Sequence, residues 1–162
     1  MDNIKARFKQ YQGAIEASNI VSKTDTNGTI TFVNDEFCKM SGFTREELIG
    51  ANHNIVRHPE VPKDVYARLW ETILAKKVHK GTIRNRTKDG RDVYLNTTII
   101  PILNLSGQIE EFLAIRYDVT DVINLNNELE KTKKELLNLN ENLENRVAEQ
   151  TAKLVNLNQN LE

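Results

Sequence analysis

Thr24-Asp-Thr-Asn-Gly-Thr-Ile-Thr-Phe-Val-Asn34 is the most informative segment of this 162-residue chain. Asn27-Gly28 favours a hairpin turn, because asparagine and glycine tolerate the backbone angles that such turns need. The apolar pair Ile20-Val21 precedes the turn, and Thr29 to Val33 alternates as a half-buried strand does. We therefore predict a β-hairpin, followed by a short helix that starts at Asn34.

The residues after this hairpin carry helix signals and then strand signals. Thr44-Arg-Glu-Glu47 is a capping box, and Pro62 suits the start of a longer helix. That helix is predicted over Pro62 to Lys76, with one apolar side formed by Val65, Leu69, Ile73 and Leu74. Three more strands are predicted over Gly81 to Arg86, Val93 to Leu103 and Ile109 to Tyr117. This order indicates an α+β domain with one antiparallel sheet.

The two ends of the chain have a different character. Asp2 to Ala17 is predicted to form an amphipathic helix, and Val119 to Glu162 contains no Gly, Pro or aromatic residue. This tail follows a heptad pattern of apolar residues in which Thr132 fills one position. The pattern is formed by Val122, Leu125, Leu129, Thr132, Leu136, Leu139 and Leu143, and then by Val147, Leu154, Leu157 and Leu161. The shift between the two sets is a four-residue stutter. The pattern predicts a long helix that forms a parallel coiled-coil homodimer.

These signals predict a helical cap over residues 1–18, a globular domain over 19–120 and a coiled-coil helix over 121–162. The net charge of -1 does not favour nucleic acid, and the single cysteine, Cys38, excludes an intrachain disulfide. No apolar run is long enough for a membrane span, so we expect a cytoplasmic location. Clustered zinc ligands and a Gly-x-Ser-x-Gly elbow are both absent, so we do not expect an enzyme.

Several separated strings resemble those of PAS sensory domains. They are Gly28-Thr-Ile-Thr-Phe-Val-Asn34, Asn34 to Phe37, Ser41-Gly-Phe-Thr44, Glu47-Leu-Ile-Gly50 and Asp118-Val-Thr120. The resemblance implies a five-stranded antiparallel sheet with short helices on one face. It also implies that Asp118, Val119 and Thr120 relay a signal from the last strand into the C-terminal helix.

A narrower resemblance links Asn52 to Pro62, Leu69-Trp70 and Gly81 to Arg86 with the FAD-binding PAS domains of bacterial aerotaxis receptors of the Aer type. In that family FAD lies between the helices and the inner face of the sheet. The resemblance implies cofactor-binding roles for Arg57, His58, Glu60, Trp70 and Asn85, with Asn34 and Asn96 as further candidates. His79 stands where the family commonly has tryptophan.

The chemistry of these residue types suits such a role. A guanidinium such as that of Arg57 can bind a pyrophosphate through two hydrogen bonds, although it can also pair with Glu60. Asn85 lies in a predicted strand, where an inward amide needs a hydrogen-bond partner. Trp70 offers a flat apolar face and is equally suited to a core position. Arg116, on the last strand, is predicted to lie at the surface.

Three functional hypotheses follow. The first is a sensor of redox state or oxygen that binds FAD and signals through the coiled coil to an effector, such as a kinase, a diguanylate cyclase or a chemotaxis signalling domain. The second is a cofactor-free dimerisation module. The third is a pocket for another small molecule, including haem held by His53, His58 or His79. Ala51 to His58 contains no cysteine, which excludes the photochemistry of the LOV type.

Overall fold

A computed structural model describes the backbone of residues 2–159 and the side-chain surroundings of residues 3–157. Five helices and one 3-10 helix are present in this range: α1 (Asp2–Ser18), α2 (Asp35–Ser41), α3 (Arg45–Leu48), the 3-10 helix (His53–Val56), α4 (Lys63–Leu74) and α5 (Thr120–Gln159). The strands are β1 (Ile20–Thr24), β2 (Ile30–Val33), β3 (His79–Arg86), β4 (Asp92–Leu103) and β5 (Ile109–Asp118). This arrangement confirms the predicted fold class.

The five strands form one antiparallel sheet in the order β2-β1-β5-β4-β3. The predicted hairpin joins β1 to β2, and Asp25 holds its turn by accepting hydrogen bonds from the backbone N–H groups of Asn27 and Thr29. Gly28 adopts a φ of 84°, which a side chain would strain. A Cβ atom at Gly28 would also lie 3.1 Å from the ring of Trp70. The turn therefore fixes the place of a side chain on α4.

The core lies on one face of the sheet, as the alternation along β4 shows. Val93, Leu95, Thr97 and Ile99 are buried, and the intervening side chains are more exposed. One apolar cluster joins β1, β2 and α2 around Phe37, while a second joins α4 to β4 and β5 around Phe112. The helices that pack on this face define the volume available to a ligand.

The chain divides into two compact units, the first ending at Thr120 and the second beginning at Asp121. The second unit is the long helix α5. All apolar residues of its heptad pattern from Val122 to Leu157 are exposed in the single chain. Leu161, the last position of the predicted heptad pattern, lies outside the described residues. No helix in the described part of the chain is long and apolar enough to cross a membrane.

Candidate functional site

A cavity of about 70 Å³ lies between the inner face of the sheet, α4 and the 3-10 helix. Its apolar lining is formed by Leu69, Trp70, Ile73, Ile83, Ile99, Phe112 and Ala114. The rings of Trp70 and Phe112 meet edge to face, with 5.6 Å between their centroids. Small or polar residues complete the wall: Ser22, Thr24, Gly28, His53, Arg57, Tyr66, Asn85, Thr97 and Arg116.

Two polar groups in this wall have no partner within the described residues. Asn85 is only 6% exposed, and its side-chain amide makes no hydrogen bond to the described part of the protein. The Tyr66 hydroxyl is buried and also without a partner. Burial raises the pKa of Tyr66, so the hydroxyl keeps its proton and can donate. Both groups are available to a ligand that offers hydrogen-bonding atoms.

Arg116 is the charged group of the wall. It is 4% exposed, so the prediction that it lies at the surface is wrong. Its guanidinium donates to Ser22 Oγ at 2.9 Å and to His53 Nε2 at 3.0 Å, and it lies 5.7 Å from the ring centroid of Phe37. Among the described residues, no carboxylate oxygen lies within 4.0 Å of it. Desolvation lowers the pKa of Arg116 to about 10, and the side chain is still charged at neutral pH.

His53 is neutral in this setting. Desolvation, followed by the nearby Arg116 charge, lowers the pKa of His53 to about 3. Because a guanidinium can only donate, His53 Nε2 must accept and the ring proton must lie on Nδ1. Arg116 therefore receives two neutral partners, Ser22 and His53, and no negative charge. We call Arg116, His53 and Ser22 the uncompensated cluster.

A second buried histidine lies beside the cavity in a different setting. His58 is 1% exposed, and its Nε2 atom lies 2.9 Å from Asp92 Oδ1. Its Nδ1 atom accepts the backbone N–H of Glu60 at 3.1 Å, and its Nε2 atom also lies 3.0 Å from Arg86 Nη2. Arg84 pairs with both Asp92 and Glu60. The hydrogen bond from Arg84 is the largest cause that lowers the pKa of Asp92. We call these residues, with Arg86, the compensated cluster.

The structure separates the predicted site residues into groups. Arg57, Trp70 and Asn85 line the cavity, and Arg57 forms an isolated backbone bridge with Asn85. His58 and Glu60 belong to the compensated cluster. Asn34 and Asn96 do not line the cavity.

Asn34 and Asn96 are placed by the backbone rather than by the cavity. Asn34 Oδ1 accepts the N–H groups of Phe37 in α2 and Val21 in β1. The Asn34 amide donates to the carbonyl groups of Glu16 in α1 and Asn19. Asn96 lies on the opposite face of β4 from Thr97, which lines the cavity. Neither residue therefore contacts the cavity described here.

The predicted relay residues tie the end of β5 to the start of β4. Asp118 Oδ1 accepts the backbone N–H of Thr120 at 2.8 Å. Thr120 Oγ1 accepts the N–H of Tyr94 at 2.9 Å, and Val119 N–H donates to the Tyr94 carbonyl at 2.8 Å. Hydrogen bonds thus connect β4 to the residues at which α5 begins.

Tyr66 and Arg116 are wall residues that sequence reasoning missed. The alternation of β5 contained a signal for Arg116, because residues 112, 114 and 116 must share a face. Cys38 packs against the apolar cluster around Phe37, and no group of three or more His, Cys, Asp or Glu side chains within residues 3–157 could hold a metal ion. Of the three histidines considered for haem, His53 and His58 contact Arg116 and Asp92 through Nε2, and His79 does not line the cavity.

A family model described as the PAS fold matches residues 9–119. The chain belongs to the PAS family. Receptors and regulators are among the characterised proteins to which it is similar. The aerotaxis receptor of Escherichia coli strain K12 is 36% identical over 104 residues, which are 64% of this chain and 20% of the receptor. A nitrogen fixation regulatory protein of Klebsiella pneumoniae is 30% identical over 105 residues, or 65% of this chain and 21% of the regulator.

This chain therefore spans about a fifth of the length of these two relatives. A blue-light photoreceptor of Listeria innocua is 31% identical over 117 residues, which are 72% of this chain and 46% of the photoreceptor. Together these matches identify a PAS sensory domain of the kind found in signalling proteins.

Solved structures agree on the fold. A PAS domain from Colwellia psychrerythraea has a TM-score of 0.64 at 23% identity and covers 70% of this chain and 98% of its own. The LOV domain of a blue-light activated histidine kinase from Erythrobacter litoralis has a TM-score of 0.59 at 20% identity, and covers 63% of this chain and 96% of its own. At these identities the likeness concerns the fold alone.

Proposed function

We propose that this PAS domain is a sensory rather than a catalytic module, and that its cavity binds the isoalloxazine ring of FAD. The observation that carries the proposal is the combination of flat apolar walls, Trp70 and Phe112, with the unpartnered polar groups of Asn85 and Tyr66. Apolar pockets with a few convergent polar groups are typical of cofactor sites. The similarity to an aerotaxis receptor supports the same choice.

The hydrogen-bonding groups of the cavity match a flavin ring, whereas the volume of the cavity is too small for one. Isoalloxazine offers two apolar faces and an edge of hydrogen-bond donors and acceptors, which match the aromatic walls and the free amide. The cavity of about 70 Å³ is smaller than ligand pockets, which usually measure about 300–1,000 Å³. Binding therefore requires α4 side chains to move away from the sheet. Arg57 is exposed at the rim, stacks on the Tyr66 ring at 4.1 Å and can reach a pyrophosphate.

Bound flavin would supply a redox centre whose ring nitrogen N5 gains a proton on reduction. The Asn85 side chain can meet either state, because its amide both donates and accepts. A rotation of this amide acts on β3, whose backbone pairs Asn85 with Val93 of β4. Strand β4 in turn holds Val119 and Thr120 through Tyr94. This is the route by which the redox state would reach α5.

The output in this proposal is a change in packing of a parallel α5 dimer. Apolar residues of the heptad seam are exposed in the single chain, and a second α5 would bury them. We place the boundaries at 1–18 for the helical cap, 19–120 for the sensory domain and 121–162 for the coiled coil. The effector, in the cytoplasm, would be a kinase, a diguanylate cyclase or a chemotaxis signalling domain that is not part of this sequence.

The absorption spectrum of the purified protein, with chromatography of the released cofactor, tests the proposal. We expect flavin bands and FAD in the wild type, and a lower FAD affinity in Asn85→Ala. Asn96→Ala is the matched control, because it removes the same amide from the opposite face of the neighbouring strand. Equal FAD affinities of Asn85→Ala and wild type would remove Asn85 from the site.

The small cavity favours a second candidate, a cofactor-free PAS module that dimerises through α5. This candidate predicts a colourless protein that does not bind added FAD and whose mass in light scattering is that of a dimer. Polar replacement of Leu136 and Leu143 would then dissociate it, because each buried leucine contributes about 1.5–3 kcal/mol.

A further inference from the structure

The cavity wall is electrically unbalanced. Its lining contains two arginines, Arg57 and Arg116, and no aspartate or glutamate among the described residues. Arg57 is exposed at the rim, where water screens its charge. Arg116 is buried, and the neutral Ser22 and His53 are its only hydrogen-bond partners within residues 3–157. The positive charge next to the cavity is thus not neutralised by the protein.

A buried charge without a counter-ion costs free energy of folding. Desolvation of a guanidinium is only offset when an anion or a full set of hydrogen bonds replaces its water. Arg116 has five N–H donors, and only two hydrogen bonds are formed to the described residues. The same sheet contains a contrasting case, because Arg84 is paired with Glu60 and Asp92. The protein therefore pairs Arg84 with carboxylates and pairs Arg116 with none among the described residues.

We propose that the ligand itself provides the missing negative charge, and that Arg116 is a specificity-determining residue that selects an anionic ligand or an anionic state of one. When the ligand is a flavin, the inference rests on the proposed function. The oxidised flavin ring is neutral. Addition of two electrons and one proton from an external reductant leaves the ring with one negative charge. Arg116 would then bind the reduced ring more tightly than the oxidised one.

The other groups around Arg116 do not change this conclusion. His53 is held neutral, Ser22 is a hydroxyl, and Phe37 offers only the face of its ring. Asn85, Tyr66 and Thr97 are neutral at physiological pH. The charge that a ligand meets at this wall is therefore set by Arg116.

The test measures the midpoint potential of bound FAD, with dithionite as the reductant, in wild type and Arg116→Gln. Glutamine keeps a polar group for Ser22 and His53 and removes the charge. We expect the preference for reduced over oxidised FAD to fall at least tenfold, which moves a two-electron potential about 30 mV more negative. Arg116→Lys keeps the charge and should stay near the wild type. Arg84→Gln is the control, because it removes a paired arginine outside the cavity.

Thermal unfolding of the same variants without FAD gives a second measurement that needs no flavin. Arg116→Gln should unfold no lower than the wild type, because an unpaired buried charge is removed, whereas Arg84→Gln should unfold lower. An unchanged potential in Arg116→Gln would overturn the inference while leaving flavin binding intact. A wild type that binds no FAD would overturn the proposed function, and a lower melting temperature of flavin-free Arg116→Gln would then overturn the inference as well.

Discussion

The compensated and the uncompensated clusters both contain histidine and arginine, and only the compensated cluster contains carboxylates. His58 and His53 are both desolvated imidazoles next to arginines. His58 meets a carboxylate, Asp92, whereas His53 meets only the Arg116 guanidinium and the Ser22 hydroxyl. In the first cluster arginines are balanced by carboxylates, and the cluster joins the loop before α4 to strands β3 and β4. The second opens into the cavity and leaves a positive charge there.

This difference separates stability from binding. A network whose charges balance holds a loop in one place and offers little to a ligand. An incomplete network destabilises the free protein and is completed by what binds. The resemblance to flavin-binding PAS domains placed His58 among the binding residues, and its contacts indicate a positioning role, because His58 holds the loop that carries Arg57.

The largest expected effect is on the compensated cluster. His58→Ala should lower the free energy of unfolding by about 3 kcal/mol, because a buried side chain and two of its hydrogen bonds are lost. His53→Ala should cost clearly less, since His53 is only partly buried. Urea denaturation of the two variants makes the comparison. His79→Ala, a half-exposed histidine, is the control. Equal losses for His58 and His53 would contradict the distinction between the clusters.

The next effect concerns the turn that supports the uncompensated cluster. Gly28 accepts the backbone N–H of His53 at 2.9 Å and lies against Trp70. Gly28→Ala should cost about 2 kcal/mol, from a strained backbone and from the contact with the Trp70 ring. Gly50→Ala has a similar φ of 85° and open space around it, so it should show the backbone cost alone. Trp70 is the single tryptophan, so its fluorescence should shift in the first variant only.

The pH dependence of stability tests the desolvated setting of His53. A depressed pKa means that unfolded His53 binds a proton that the folded protein does not, so stability is full above pH 6.5 and falls as the pH falls towards 3. Between pH 6.5 and about 5 we expect a loss of about 1 kcal/mol, reduced from full linkage because the residue keeps some solvent.

This window lies above the range of the carboxylates with lowered pKa values, such as Asp92. His53→Gln should abolish that part of the slope, as followed by urea denaturation at several pH values. A slope that persists in His53→Gln would mean that another group, such as His79, causes it.

The smallest effect is expected from Tyr66→Phe, which removes only a hydroxyl. The flavin-free protein should be as stable as the wild type or slightly more so, because an unpartnered buried hydroxyl is lost. The affinity for FAD should fall several-fold, by about 1 kcal/mol. Calorimetric titration measures the second effect and thermal melting the first. Unchanged affinity would leave Tyr66 outside the site.

The sequence was sufficient for the strands because their signals are local. The hairpin at Asn27-Gly28 and the alternation of β4 depend on neighbouring residues, and the sheet confirms them. The site was harder to predict from the sequence. The charge of Arg116 suggested a surface position, although its place on β5 directs its side chain to the inner face of the sheet. The predicted apolar side of α4 included Leu74, which is exposed. Tyr66 was missed, because the elements that pack against a helix determine which of its side chains are buried.

The most direct test is a titration of flavin-free protein with FAD, followed by the fluorescence of Trp70. Because the only tryptophan lines the cavity, a ring that enters the cavity must contact or quench it. We predict saturable quenching with one FAD per chain, weakened in Asn85→Ala but not in Asn96→Ala. Binding of FAD without a change at Trp70, or no saturable change at any FAD concentration, would contradict a flavin site in this cavity.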